Sequence, residues 1–111
     1  MEYFKNVDKV SYKGKDSKDA FSFKQYNASE VIAGKTMEEW MPFAMSWWHT
    51  LAAGSADPFG APAATRPWNG KEALEASKMR VEAGCELMQK LGMNYFCFHD
   101  RDLSPEYKTL K

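Results

Sequence analysis

The chain has 111 residues, of which 44% are hydrophobic and 14% aromatic, a length and composition that suit one folded domain and exclude a disordered chain. Fifteen basic and fifteen acidic side chains give a formal net charge of zero, so no charge excess favours nucleic acid or an anionic membrane surface. No apolar run approaches the roughly 20 residues that a membrane-spanning helix needs.

The N-terminus lacks the basic start and the apolar run of a signal peptide, which predicts a cytoplasmic protein. In that setting Cys85 and Cys97 are expected to be two buried thiols in preference to one disulfide.

Residues 1–42 are predicted to form an extended arm with short helices. The alternating residues 21–26 are either a short edge strand or a packed loop. Asn27 with Glu30, and Thr36 with Glu39, each have the spacing of a capping box, so each pair predicts a short helix; the second should end near Met41.

Residues 43–50 are bulky and almost continuously apolar, as in a parallel strand covered on both faces. In a strand, Trp47 and Trp48 would point to opposite faces. Either both are core residues, or one of them forms an aromatic wall for a polyol.

The connection that follows, residues 51–68, is rich in Ala, Gly and Pro, and connections of this length are often functional. Phe59 lies in its middle, within residues 57–60. A neighbouring subunit or a ligand would cover this ring, or the loop folds back on its own core; both readings stay open.

A helix is predicted over residues 70–91, after a third capping signature at Asn69 and Glu72. Its apolar stripe has a period near 3.6 and consists of Leu74, Val81, Cys85, Met88 and Leu91. Gly92 should end the helix, and a second strand is predicted over residues 94–99. Residues 43–111 would then form one right-handed βαβ unit with parallel strands.

The second strand leads to His99, Asp100 and Asp102. An acid beside a histidine fixes its tautomer and raises its basicity, which favours proton transfer. The alternative is a salt-linked loop that involves Arg101. A metal site, with His49 as a further ligand, is the weaker reading, because three ligands in one turn seldom complete a coordination shell.

With these features together, the chain resembles the N-terminal part of a xylose isomerase of the long, class II type. The resemblance rests on seven segments that occur in family order, namely residues 26–32, 34–37, 48–50, 57–60, 66–68, 78–82 and 96–102.

The resemblance implies a TIM (β/α)8 barrel, of which this chain would be the N-terminal βαβ portion, in a homotetramer. It implies isomerisation of D-xylose to D-xylulose and of D-glucose to D-fructose with two divalent cations (Mg, Mn or Co), whose ligands would lie outside this chain. It implies that His99 opens the cyclic sugar, Asp102 pairs with it, Trp48 lines the sugar pocket, and Phe59 reaches into a neighbouring subunit's site.

Two features depart from the family pattern. Tyr107 and Lys108 stand where the family usually has a glycine and an acid. A barrel of eight strands also needs about 250 residues, so the chain is expected to be inactive alone and to need the remaining barrel segment or a companion chain. The alternative is a non-catalytic interaction fragment that docks on another isomerase chain.

Overall fold

The structure, a computed structural model, describes residues 1–53 and 65–109. Its elements in chain order are β1 (Ser11–Tyr12), β2 (Ser22–Phe23), β3 (Val31–Ile32), β4 (Lys35–Thr36), α1 (Met37–Trp40), β5 (Ala44–Ser46), α2 (Trp47–Thr50), α3 (Ala73–Leu91), β6 (Tyr95–Cys97) and α4 (Asp100–Leu103). Helices and strands are mixed, which is compatible with an α/β chain. The barrel, and the parallel direction of its first two strands, stay predictions.

The chain divides into two compact units. The first comprises Met1–Met45 with Glu86–Phe96, and the second comprises Ser46–Cys85 with Cys97–Lys111. The sequence-based division into residues 1–42 and 43–111 follows chain order and stays a prediction for the complete protein.

In the first unit, β1 pairs in parallel with β2, with Ser11 opposite Ser22 and Tyr12 opposite Phe23. Residues 21–26 therefore contain an edge strand, the first of the two readings. The helix predicted after Asn27 is wrong. The Glu30 N–H donates to the Asn27 carbonyl at 3.0 Å in a turn, and the Asn27 side chain accepts from the Ser29 hydroxyl instead of capping a helix.

The second predicted short helix is confirmed as α1. The Thr36 hydroxyl accepts the Glu39 N–H at 3.2 Å, and the Glu39 carboxylate accepts the Thr36 N–H at 2.7 Å. These reciprocal bonds form the capping box that the sequence indicated. The Thr36 backbone bond is also the main cause that holds the pKa of Glu39 below its usual value.

The N-terminal arm is attached to α3 by two side chains. Glu86 accepts the backbone N–H groups of Tyr3 at 2.7 Å and Phe4 at 2.9 Å. Lys90 pairs with Glu86 and with Glu2, each at 3.1 Å. We call Glu86 and Lys90 the arm clasp.

Helix α3 begins one turn later than the capping signature at Asn69 predicted, because Glu72 itself accepts the N–H groups of Leu74 at 3.0 Å and Glu75 at 3.3 Å. Its end agrees with the prediction. Gly92 has a φ of 70°, and the N–H groups of Gly92 and Met93 donate to the carbonyls of Gln89 and Met88. That pair of bonds is a Schellman motif.

The predicted apolar stripe of α3 is not its buried face. The buried residues are Ser77, Ala83 and Gly84, whereas Leu74 is 44% exposed and Val81 37%. At Gly84 the side chains of Trp47 and Leu51 pack directly on the helix backbone. Cys85 and Cys97 form no disulfide, but both are exposed, so the expectation of buried thiols is wrong.

The strand predicted over residues 43–50 is also shorter than expected. It ends at Ser46, and Trp47–Thr50 form the single helical turn α2. The Thr50 hydroxyl donates to the Ser46 carbonyl at 2.8 Å, and the Leu51 N–H donates to the Trp47 carbonyl at 3.1 Å. The turn places Trp47 and Leu51 on one side, where they are 2% and 3% exposed.

Strand β5 pairs with β6. The second predicted strand, residues 94–99, shortens to Tyr95–Cys97 because the chain turns at His99 into α4. Among the described residues, no helix is both long enough and apolar enough to cross a bilayer. A cytoplasmic location stays a prediction.

Candidate active site

The candidate site is built on the first turn of α4. His99 is the extended N-cap residue of this helix, with φ −99° and ψ 158°, and Asp102 lies three residues later. The Asp102 Oδ2 accepts the His99 backbone N–H at 2.7 Å, and the Asp102 N–H donates to the His99 carbonyl at 2.9 Å. These two hydrogen bonds fix the position of the Asp102 carboxylate relative to the backbone of His99.

The two side chains form a loose pair. His99 Nδ1 lies 3.4 Å from Asp102 Oδ2, with the imidazole 68% exposed and the aspartate side chain 11% exposed. This separation is longer than an ordinary N–H···O hydrogen bond, and such pairs often tighten only when substrate binds. The buried carboxylate favours a proton on Nδ1, so the exposed Nε2 would be the nitrogen that exchanges protons with a ligand.

Trp48 provides an aromatic surface beside the histidine. The centroid of its ring lies 4.7 Å from that of the His99 ring, with the planes at 50°. Trp48 also lies 5.6 Å from the ring of His49. Trp48 is only partly buried.

Three of the predicted site residues, Trp48, His99 and Asp102, are therefore close together in the second unit. The fourth, Phe59, and its segment 57–60 lie outside the described residues.

Trp47 and Trp48 lie on a helical turn and not on a strand, and an aromatic wall for a polyol stays a prediction. Trp47 is a core residue, 2% exposed, and Trp48 is the one beside the histidine. The core contact of Trp47 is Gly84 of α3. A Cβ atom added to Gly84 would lie 2.4 Å from Trp47 Cη2 and 2.8 Å from Leu51 Cδ1.

Sequence reasoning missed this contact between Trp47 and Gly84. A signal was present, because glycine inside a helix costs about 0.5–1 kcal/mol relative to alanine. A glycine in the middle of an otherwise regular helix therefore indicates close packing.

The neighbouring charged residues play other parts. Arg101 pairs with Glu106 at 2.8 Å, and both side chains are mostly exposed. Asp100 accepts the Arg101 N–H at 2.8 Å. Arg101 of α4 is thus salt-linked to Glu106, whereas the buried carboxylate of Asp102 faces His99.

A metal centre does not assemble from the part of the chain that the structure describes. No group of three or more His, Cys, Asp or Glu side chains in that part is placed to hold a metal ion. The described residues therefore do not fit a two-cation site. The location of cation ligands outside this chain stays a prediction.

No family model matches the chain. It is similar to curated proteins over nearly its whole length. It is 47% identical over 112 residues to the xylose isomerase of Thermoanaerobacter sp. (strain X514), covering 100% of this chain and 26% of that protein. For Bacteroides thetaiotaomicron xylose isomerase the values are 48% over 106 residues, 95% of this chain and 24% of that protein. It is 46% identical over 111 residues to the xylose isomerase of Shouchella clausii, covering 100% of this chain and 25% of that protein. The chain thus spans about a quarter of the length of these relatives.

Proposed function

Because this chain belongs to the xylose isomerase family, we propose that it contributes the sugar ring-opening residues of an aldose–ketose isomerase. The substrates would be cyclic aldoses, with D-xylose converted to D-xylulose and D-glucose to D-fructose. His99, Asp102 and Trp48 carry this proposal. The observation that supports it most directly is an exposed imidazole that lies 3.4 Å from a nearly buried carboxylate and 4.7 Å from the centroid of an indole ring.

Ring opening needs one proton to leave the anomeric hydroxyl and one to reach the ring oxygen as the bond between the anomeric carbon and the ring oxygen breaks. His99 Nε2 accepts the anomeric proton, and the electron pair left on that oxygen forms the carbonyl. Nε2 then donates this proton to the ring oxygen, which becomes a hydroxyl. His99 ends the step neutral, so it acts as base and then as acid.

Asp102 supports both halves of this step. Its carboxylate is nearly buried and lies 3.4 Å from Nδ1, so it stabilises the imidazolium while the proton is on Nε2. The carboxylate of other His–Asp pairs stabilises the imidazolium in the same way. Its bond from the His99 backbone keeps the carboxylate from rotating away.

Trp48 would form one wall of the sugar site. The C–H faces of a pyranose pack well on an indole ring, and the partly exposed ring of Trp48 stands next to the imidazole that performs the proton transfer. Binding of the sugar against this wall would bring the anomeric hydroxyl toward Nε2.

The transfer of hydrogen between sugar carbons would depend on two divalent cations, which polarise the sugar oxygens when bound. The described residues form no such site, so the ligands for these cations would lie outside this chain. Ring opening by His99 does not depend on them.

The chain would act together with further protein. Tyr95 is 60% exposed, Phe43 52% and Phe98 49%. Exposed aromatic groups of this size on and beside short strands favour cover by the remaining barrel segment or by a companion chain. Assembly into a homotetramer, with Phe59 reaching into a neighbouring subunit's site, belongs to the same proposal.

The same exposed surfaces also favour the second candidate function, a non-catalytic fragment that docks on another isomerase chain. The two differ in whether the docked assembly uses His99. Supplying the chain with the remaining segment of the Thermoanaerobacter enzyme tests the first directly. Restored xylose isomerisation supports a catalytic role, whereas a stable complex without turnover would favour the docking role.

A further inference from the structure

We propose that Gly84 is a positioning residue for the candidate site and acts on it through Trp47. It lies in α3 and is buried. Its missing side chain leaves the space that the Trp47 ring occupies, since a Cβ atom there would lie 2.4 Å from Cη2 and 2.6 Å from Cζ2 of that ring. The inference rests on the proposed function for its effect on activity, but its structural part stands without it.

The contact reaches the site through a single turn of helix. Trp47 opens α2, and Trp48 is the next residue in the same turn. Leu51 packs on the same glycine, with its Cδ1 2.8 Å from the added Cβ, and the Leu51 N–H donates to the Trp47 carbonyl at 3.1 Å. The turn is therefore held against α3 at both of its ends.

An alanine at position 84 would push this turn outward. Carbon atoms in contact lie about 3.5–4.0 Å apart, so the Trp47 ring, the helix or both must move by about 1 Å. The hydrogen bond from the Thr50 hydroxyl to the Ser46 carbonyl, at 2.8 Å, ties the two ends of this turn together. Trp48 would move with Trp47 and change its 4.7 Å approach to the His99 ring. Displacements of about 1 Å can reduce catalysis by up to about 100-fold.

The test uses ring-current shifts of the His99 ring protons in the 111-residue chain, which has only two histidines. A His49→Gln variant assigns them. Gly84→Ala should move the His99 resonances toward the values of an unstacked imidazole. Gln89→Ala, on an exposed position of the same helix, should leave them in place.

A second substitution sharpens the test. Trp47→Phe removes the ring atoms that the alanine methyl group would meet, so the Gly84→Ala/Trp47→Phe double variant should bring the His99 resonances back toward those of the original chain. If Gly84→Ala does not fold, Trp47→Phe alone should displace the His99 resonances, because the smaller ring leaves a gap at Gly84 and the turn can move toward the helix. Unchanged His99 resonances in a folded Gly84→Ala or Trp47→Phe chain would overturn the proposal.

In a completed assembly the same series separates this inference from the proposed function. Gly84→Ala should lower kcat by about 10- to 100-fold with a smaller change in KM, and the double variant should recover part of the loss. If the assembly has no isomerase activity at all, the proposed function fails while the resonance test still decides the role of Gly84. Normal kcat together with displaced resonances would refute the link to catalysis.

Discussion

The Asp102 carboxylate accepts the backbone N–H of His99 at 2.7 Å with the same oxygen that faces the His99 imidazole at 3.4 Å. One carboxylate oxygen thus bonds the main chain that carries the histidine and faces its ring. The proposed function would combine a structural and a catalytic role in this carboxylate, and substitutions of different kinds should separate them.

Asp102→Asn should keep the fold and lower activity. The asparagine carbonyl oxygen can still accept the His99 N–H, whereas the negative charge that stabilises the imidazolium is lost. Asp102→Ala also removes the hydrogen bond from the His99 backbone, so it should lower the free energy of unfolding by about a further 1–2 kcal/mol. Denaturant unfolding of both variants checks this, with exposed Asp100→Asn as the control. Equal destabilisation by the two changes would contradict the dual role.

Features that depend on short spacing are the ones that the sequence predicts best. The distance of three residues between His99 and Asp102 suffices to bring an acid back to a helix N-cap, and the same spacing predicted the capping box of Thr36 and Glu39. Gly92 ended its helix as expected because a Schellman motif is encoded within a few residues.

The sequence did not predict what depends on contacts between distant segments. A run of bulky residues is consistent with a strand, and only the packing of Trp47 and Leu51 on Gly84 shows why the chain turns helical there. The arm clasp is similar, since Glu86 and the Tyr3 N–H are 83 positions apart. Neither contact leaves a local pattern of spacing.

The arm clasp should open on acidification. The backbone bond from Tyr3, with further help from Phe4 and Lys90, holds the pKa of Glu86 below its usual value against the opposing effect of burial. The ionised Glu86 carboxylate therefore stabilises the arm clasp fully above the pKa of an unfolded glutamate, about 4.3. This stabilisation is lost as the pH falls through the lower pKa that Glu86 has in the folded chain. The amide resonances of Tyr3 and Phe4 should report this transition.

Glu86→Gln provides the control for the clasp, because glutamine has no charge to lose in this range. The acid transition of the Tyr3 and Phe4 amides should disappear in that variant. A transition of the same midpoint and size in Glu86→Gln would assign the opening to another carboxylate.

Trp48 should act in sugar binding more than in proton transfer. Trp48→Ala removes the wall and should raise KM severalfold in a completed assembly, whereas Trp48→Phe keeps an aromatic face and should have a smaller effect. Trp40→Phe, at an exposed position of the first unit, serves as the matched control. A Trp48→Ala variant with unchanged KM would remove this residue from the sugar site.

Phe59 should act across a subunit boundary if the assembly is the tetramer that the resemblance implies. Phe59→Ala should then weaken sugar binding without unfolding the subunit. Mixed oligomers of Phe59→Ala and His99→Asn chains should recover activity, because some sites combine an intact phenylalanine with an intact histidine. Activity equal to the average of the two parents would place the ring within its own chain's site.

The central claim, that His99 opens the sugar ring, is tested most directly by comparing two substrates in the assembly completed with the remaining isomerase segment. His99→Asn should reduce turnover of closed-ring xylose much more than turnover of an open-chain analogue, because only the closed ring needs the proton transfer. His49→Asn, at the exposed histidine beside Trp48, should reduce turnover of either substrate less than His99→Asn reduces turnover of closed-ring xylose. An equal loss on both substrates in His99→Asn would contradict the claim and assign the histidine to binding or folding.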